Sequence, residues 1–287
     1  MRYTWIEEHR DEYSVSRLCR LLEVSRTGYL QWRRRPSSRQ ALANRTLDAR
    51  VAAIHAASKR SYGRPRIVQD LRNQGIEVGH ERVRRSLQRQ GLRPVYKRPY
   101  RVTTDSGHQK KVSPNLLDRR FDCWQINEAW VCDILYVGTA QGWLYLATVM
   151  DLASRRIVRW SMNERMKADL VCDALKSAYW RRNRSPGLIL NSDRGSQYAS
   201  DPYRQLIADF KMVQSMSRRG SCWDNAPMES FYKTLKVERV YQVDYRTRDE
   251  ARLDLVLWIE GFYNGERLHS SVGYRSPVSA EFTLRAA

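Results

Sequence analysis

Residues 130–150, WVCDILYVGTAQGWLYLATVM, decide the fold of this chain. The stretches 130–138 and 143–150 are apolar and rich in the β-branched and aromatic residues that favour strands. The four residues 139–142 between them are typical of a turn, so the stretch predicts two antiparallel neighbours. Asp133 interrupts the first apolar run, at a position where an unpaired charge is costly.

Downstream of this pair, short strand patterns alternate with helical ones. Residues 156–162 extend the pair to an antiparallel meander, and 188–191 and 212–215 are two further short strands. Apolar residues at helical spacing predict helices at 166–183, at 198–210, within 220–238 and at 248–262. This order indicates a mixed α/β domain and is the order expected of a ribonuclease-H-like core.

Upstream of residue 124 the pattern is helical and basic. Residues 14–34 predict a helix-turn-helix in which Ser14 and Ser25 cap the two helices, and 38–58 predict a longer helix. A second pair of helices follows, the first ending at Gln74-Gly75. The second, HERVRRSLQRQ at 80–90, turns four arginines outward and could enter a major groove. The candidate DNA contacts in these helices are Arg26, Arg82, Arg84, Arg85 and Arg89.

The charge of the chain is concentrated in its first half. Residues 1–120 contain 28 Lys and Arg against 11 Asp and Glu, a net charge of +17, whereas 121–287 contain 23 against 20, a net charge of +3. A basic N-terminal region joined to a nearly neutral remainder indicates that the N-terminal region binds nucleic acid. No run of eighteen apolar residues predicts a membrane span, and the first residues lack a signal sequence, so we expect a cytoplasmic protein.

Three acidic residues from separate elements are the candidate site. Asp133 lies in an apolar strand, Asp193 directly follows a buried strand, and Glu229 lies on a helix whose apolar residues are Met228, Phe231 and Leu235. Carboxylates suit the hard cations Mg²⁺ and Mn²⁺. Two such ions can activate the attacking oxygen and stabilise the leaving one in phosphoryl transfer. The five cysteines and five histidines show no zinc-site spacing.

Each acid also has a structural interpretation. A strand Asp can pair with a buried Arg, SDRG at 192–195 can be a simple turn, and Glu229 can be a solvated helix residue. Asp151 competes as the first acid, although a turn there would use an Asp anyway. Asp224 is better interpreted as a helix cap.

The three acids and their surroundings carry a family resemblance. There are 59 residues between Asp133 and Asp193 and 35 between Asp193 and Glu229, and the contexts are WVCDILY, NSDRGSQYAS and GSCWDNAPMESFYKTLK. The chain resembles the Asp-Asp-Glu transposases of bacterial insertion sequences, which are related to retroviral integrases. It is most similar to the family whose catalytic protein is the downstream of two overlapping reading frames. Residues 263–277, YNGERLHSSVGYRSP, resemble the C-terminal signature of that family, and the resemblance covers essentially the whole chain.

The resemblance implies a catalytic core that binds two Mg²⁺ ions through the three acids, with Mn²⁺ as a possible substitute. It implies cleavage at element ends to free 3′-OH groups, which are then joined to another phosphodiester. Lys236 matches a basic residue on the family's catalytic helix and is assigned to terminal DNA, with Lys233 and Asn225 as further contacts. Asn191 stands where many relatives have His, and the zinc module of retroviral integrases is missing.

The expected organisation has five parts. These are a helix-turn-helix region with its connecting helix at 1–60, a second helix-turn-helix-like region at 61–100, a basic linker at 101–123, the ribonuclease-H-like integrase core at 124–245, and a C-terminal helix and tail at 246–287. The expected partners are double-stranded DNA, as terminal repeats and target, and further copies of the chain in a dimer or higher oligomer. The expected location is the bacterial cytoplasm, in association with the nucleoid.

Two other functions compete with an active transposase. The chain could be a DNA-binding regulator of transposition that is inactive without an upstream-frame fusion partner. It could also be a structure-specific nuclease on the same fold, an alternative that the two basic helical modules disfavour.

Overall fold

A five-stranded mixed sheet forms the centre of the C-terminal part of the chain, in a computed structural model that describes residues 1–36, 38–95, 112–122, 124–182, 186–219 and 221–286. The strands are β1 Ala129–Thr139, β2 Gly142–Asp151, β3 Ile157–Asn163, β4 Ile189–Ser192 and β5 Val213–Met216, arranged in the order β3-β2-β1-β4-β5. The first three are antiparallel, and β4 and β5 run parallel to β1. The predicted meander, its two additional strands and the fold class are confirmed.

The pairing of β1 differs along its length. Its first residues pair with β4, and this parallel pairing ends at Val131 opposite Asn191. Its pairing with β2 continues to Thr139, with Asp133 opposite Thr148. The segment of β1 that carries Asp133 therefore lies just past the end of β4, where the chain leaves the sheet.

Helices cover the sheet and bury its apolar side chains. The helices of this part are α7 Ala168–Arg181, α8 Asp201–Asp209, α9 Ala226–Glu238, α10 Arg248–Val256 and α11 Pro277–Ala286. Leu170, Leu175 and Ala178 of α7 pack with Trp130 of β1 in the same core cluster. The predicted helix 248–262 becomes a π-helix at Leu257–Glu266 and ends when the Arg267 amide donates to Phe262 O at 2.7 Å.

The N-terminal helices are α1 Arg2–His9, α2 Val15–Leu21, α3 Arg26–Arg34, α4 Arg39–Ala57, α5 Arg64–Asn73 and α6 His80–Arg89. The predicted caps are confirmed, because Ser14 accepts from the Arg17 amide and Ser25 from the Gly28 amide. Helix α1 was not predicted. It supplies Ile6, which is fully buried in the small core of the α2–α3 pair.

The chain divides into two compact units. One comprises Met1–Ala53 with Glu81–Leu92, and the other Ile54–His80 with Arg93–Ala287. Helix α5 thus belongs to the unit that contains the sheet, while nearly all of α6 belongs to the other. Among the helices of the described ranges, none is long and apolar enough to cross a bilayer.

The linker predicted at 101–123 is only partly described, since 101–111 and 123 lie outside the described residues. Its C-terminal part is attached to the sheet. The Leu116 amide donates to Ser215 Oγ at 3.0 Å, the Met216 amide donates to Pro114 O, and Leu117 is fully buried. These residues are a fixed part of the β5 edge, in contrast to the expectation of a linker.

Candidate active site

Asp133 and Asp193 are neighbours because of the parallel register. Asp133 is two residues after Val131, and Asp193 is two residues after Asn191, the strand partner of Val131. Both carboxylates are therefore carried past the same end of the β1–β4 pair, where ligands of α/β sheets bind. Asp133 Oδ1 accepts from the Ile134 amide at 2.7 Å, and Asp193 Oδ1 accepts from the Gly195 amide at 2.9 Å.

Glu229 approaches Asp133 from helix α9. Pro227 lies in the first turn of this helix, and Met228, Phe231, Tyr232 and Leu235 form its buried face. Glu229 lies off that face and is exposed, while its partial desolvation raises the pKa of its carboxyl. The apolar side that we predicted for this helix is confirmed.

Lys236 lies two turns after Glu229 and is half-buried. Burial lowers the pKa of its ammonium group, and the charge of Asp133 opposes this shift. Lys236 therefore lies within electrostatic reach of Asp133. A cation at this point favours a negatively charged group beside the acids.

The electrostatics of Asp133 connect all four residues. Burial raises the pKa of Asp133 well above its usual range, and the Asp193 carboxylate raises it further. The Ile134 amide and Lys236 lower it, while Glu229 raises it. Because repulsion between carboxylates and burial both disfavour the ionised form of Asp133, a bound cation would stabilise it.

The donor set fits a hard divalent cation. Asp193 and Glu229 both act electrostatically on Asp133, and carboxylate oxygens are ligands that such cations prefer. Asn225 Oδ1, one turn before Glu229, is a buried acceptor without a partner among the described residues. Within the described ranges, however, no three His, Cys, Asp or Glu side chains are close enough to form a ready-made ion site. Since like charges repel, drawing the carboxylates to coordination distance requires a cation.

The two competing acids have structural partners. Asp151 is fully buried and accepts from the Asn127 amide at 2.8 Å and from the amide and hydroxyl of Ser154 at 2.9 and 2.8 Å, so it stabilises the turn after β2. Asp224 is also fully buried, but its predicted role as a helix cap is wrong. It accepts from the guanidinium groups of Arg119 and Arg218, which hold its pKa well below the usual range.

The predicted DNA contacts have different surroundings. Asn225 is only 4% exposed, and its amide nitrogen donates to Cys132 O at 3.1 Å. This burial disagrees with the predicted DNA contact, because the amide is used to join α9 to β1. Lys233 is exposed on α9, and Arg26 is exposed at the start of α3.

On α6, three of the four arginines form ion pairs. Arg84 and Arg85 pair with Glu81 at 2.7 and 2.9 Å, and Arg89 pairs with Asp48 at 2.6 Å. Arg82 is exposed and has no ion pair among the described residues. Exposed ion pairs contribute little stability, so these arginines remain able to exchange their partners for phosphates.

Sequence reasoning missed two features of the site. Tyr232 donates to Asp133 O, a contact that its place on the apolar face of α9 could have suggested but not specified. The C-terminal signature has its own function in the fold: Arg267 is 3% exposed and forms two hydrogen bonds to Glu238, the last residue of α9. Both contacts join residues that are far apart in the sequence.

Comparison with known proteins agrees with this geometry. Two models described as integrase core domains match residues 125–222 and 211–277, and a model described as an HTH-like domain matches 41–100. Transposase InsF for insertion sequence IS3A of Escherichia coli (strain K12) is 41% identical over 284 residues, which are 98% of each chain. The chain belongs to the IS3 family of insertion-sequence transposases.

Two further proteins show similarity to the chain. The uncharacterized 31 kDa protein of insertion element IS600 from Shigella sonnei is 40% identical over 262 residues, 91% of this chain and 96% of that protein. The crystal structure of the catalytic core domain of BIV integrase is 16% identical, with a TM-score of 0.42, and covers 56% of this chain and 97% of that one. As an IS3-family transposase, the chain combines an integrase core with an HTH-like helical region.

Proposed function

We propose that this transposase cleaves the ends of its insertion sequence and joins the freed 3′-OH groups to target DNA, using Asp133, Asp193 and Glu229 as catalytic acids. One observation carries the proposal: the parallel register takes Asp133 and Asp193 past the same end of the β1–β4 pair. Glu229 of α9 acts electrostatically on the same Asp133. Several carboxylates brought to one end of a sheet are the arrangement that a metal-dependent phosphoryl-transfer site needs.

The three carboxylates would hold two Mg²⁺ ions, for which Mn²⁺ can substitute. When bound, these ions polarise the scissile phosphate and lower the pKa of the attacking hydroxyl. The residues of the chain orient the ligands: the Ile134 amide fixes Asp133, and the Gly195 amide fixes Asp193. Lys236 offers its ammonium group to a phosphate of the terminal strand. The reaction needs no covalent protein–DNA intermediate.

The basic N-terminal region would bind the terminal repeats. The exposed Arg26 and Arg82 are first contacts, and Arg84, Arg85 and Arg89 can follow by leaving their surface ion pairs. Because two element ends must be joined to one target, a dimer or higher oligomer on DNA is expected. The reaction takes place on DNA in the bacterial cytoplasm.

Glu229→Gln tests the proposed chemistry. The substitution keeps the size of an exposed side chain and removes its charge, so we expect folding and DNA binding to persist. Mg²⁺-dependent cleavage of labelled terminal DNA should fall by about a thousandfold, as for other groups that stabilise the transition state electrostatically.

Lys233→Gln is the matched control on the same helix, with an expected change of less than tenfold. Full cleavage by Glu229→Gln would disprove the assignment of this residue. If the wild-type chain binds terminal DNA but does not cleave it with Mg²⁺, alone or with an upstream-frame product, a regulator of transposition is the better description.

A further inference from the structure

Two buried polar side chains of α9 and its N-cap lie on either side of Glu229 in the sequence. Asn225 precedes Glu229 by four residues, and Tyr232 follows it by three. They are 4% and 5% exposed, respectively. Since they are seven residues apart, both face the same side of the helix, which is the side toward the sheet.

Tyr232 joins α9 to β1 and β2 through one oxygen atom. Its hydroxyl donates to Asp133 O at 2.6 Å and lies 3.2 Å from Leu146 O. The third neighbour of the Tyr232 hydroxyl is the hydroxyl of Thr148, at 2.9 Å. Thr148 is the strand partner of Asp133. The ring is buried, so the position of this oxygen is fixed by packing as well as by hydrogen bonds.

Asn225 makes the corresponding contact one residue earlier in β1. Its amide nitrogen donates to Cys132 O at 3.1 Å. A backbone carbonyl can only accept, so this bond determines which end of the amide is the nitrogen. The other end, Oδ1, then faces away from β1.

We propose that Asn225 and Tyr232 are positioning residues that hold α9 on β1 and thereby set the separation of the Glu229 and Asp133 carboxylates. The hydrogen bonds from Asn225 and Tyr232, which are two helical turns apart, go to the carbonyls of two consecutive residues, Cys132 and Asp133. Helix α9 can therefore neither slide along β1 nor rotate without losing one of them. This inference rests on the proposed function, because the separation matters only if both acids hold the same ions.

Metal binding by the full-length chain tests this inference. Calorimetric titration with Mg²⁺ and with Ca²⁺ is performed on the wild type and on Tyr232→Phe, and only the binding event that Asp133→Asn abolishes is counted. We expect Tyr232→Phe to weaken Mg²⁺ binding by about tenfold or more, as is usual when an outer partner of a ligand is removed. Ca²⁺ binding should weaken less, because Ca²⁺ tolerates irregular geometry whereas Mg²⁺ requires a near-ideal octahedron.

Tyr198→Phe is the matched control. Tyr198 is also fully buried, but its hydroxyl has no hydrogen-bond partner among the described residues, so its removal should leave the affinity for both ions within twofold. If Tyr232→Phe fails to fold, Asn225→Ser provides the same comparison through the Cys132 bond and should show the same selective loss of Mg²⁺ affinity.

Two other outcomes are distinguishable. Wild-type Mg²⁺ affinity in the folded Tyr232→Phe and Asn225→Ser variants, or equal losses for Mg²⁺ and Ca²⁺, would overturn the positioning role while leaving the three acids in place. If the wild type shows no binding event that depends on Asp133, the proposed function itself fails.

Discussion

At the scale of single residues, the position of the Asp193 carboxylate depends on a neighbouring glycine. A Cβ at residue 195 would lie 3.0 Å from Asp193 Oδ1 and 3.2 Å from Gln197 Oε1. The same glycine donates its amide to Asp193 at 2.9 Å. Close approach of its backbone, rather than an unusual φ angle, is the reason that glycine suits this position.

Gly195→Ala should therefore impair catalysis more than stability. We expect the methyl group to displace the Asp193 carboxylate by a few tenths of an ångström and to lower the cleavage rate by about tenfold to a hundredfold. The measurement is single-turnover cleavage of terminal DNA, with thermal unfolding in parallel. Gly261→Ala, where a Cβ meets nothing within 4 Å, is the control and should keep its cleavage rate. Equal rates in both variants would contradict this role of Gly195.

At the scale of elements, the C-terminal signature attaches the end of α9 to α5. Arg267 binds Glu238 at 2.6 and 2.8 Å, while Arg66 of α5 donates to Leu268 O at 3.1 Å. The Tyr62 hydroxyl accepts from the Leu268 amide at 2.7 Å. The signature residues therefore contribute to the structure around α9 rather than to the set of acids.

The buried pair Arg267–Glu238 should show a strong asymmetry between single and double substitutions. Arg267→Met leaves the largely buried Glu238 with only its longer contact to Arg66, at 4.0 Å, and should lower the free energy of unfolding by about 3–5 kcal/mol. The double variant Arg267→Met/Glu238→Leu should recover most of this loss, because neither charge is then buried unpaired. Urea denaturation of the wild type, the two single variants and the double variant measures the coupling energy between Arg267 and Glu238. The exposed pair Arg252–Asp249 is the control. Additive losses would contradict the assignment.

At the scale of the whole molecule, the two units differ in the density of their positive charge. The unit of Met1–Ala53 with Glu81–Leu92 has 15 Lys and Arg against 7 Asp and Glu, a net charge of +8 in 65 residues, whereas the sheet unit has 36 against 24, a net charge of +12 in 222 residues. The unit that contains α2, α3 and most of α6 has exposed arginines such as Arg26 and Arg82, whereas the sheet unit contains the three candidate acids. We therefore expect substitutions in the arginine-bearing unit to change DNA affinity and substitutions of the acids in the sheet unit to change DNA cleavage.

The salt dependence of DNA binding tests this division. Arg82→Gln should weaken binding to terminal DNA and reduce the slope of log K against log salt concentration by about one, because one phosphate contact is lost. Fluorescence anisotropy at several salt concentrations measures it. Glu229→Gln is the control and should leave the slope unchanged. A slope that is unaffected by Arg82→Gln would remove this residue from the interface.

The fold could be predicted from the sequence because its signals are local. Alternating and helical apolar patterns predicted all five strands and all four helices between residues 166 and 262, and Ser14 and Ser25 marked two helix starts. Helix α1 escaped prediction because its apolar content is low and only Ile6 is buried. The π-helical continuation to Glu266 also escaped, since it depends on contacts such as the pair of hydrogen bonds between the Asn264 amide and the backbone of Ile157.

The sequence by itself determined the strands of the sheet, most of the helices, the three candidate acids and the excess of positive charge in residues 1–120, because residue type and spacing carry this information. Only the tertiary structure decided that Asp133 and Asp193 follow the same end of the β1–β4 pair, through the parallel register of these strands. It also decided that Asp224 receives two arginines instead of capping a helix, and that Asn225 faces β1 instead of DNA. The physical reason is that hydrogen bonds and desolvation act between residues that lie close in space, and about ninety residues separate Asn225 from Cys132 in the chain.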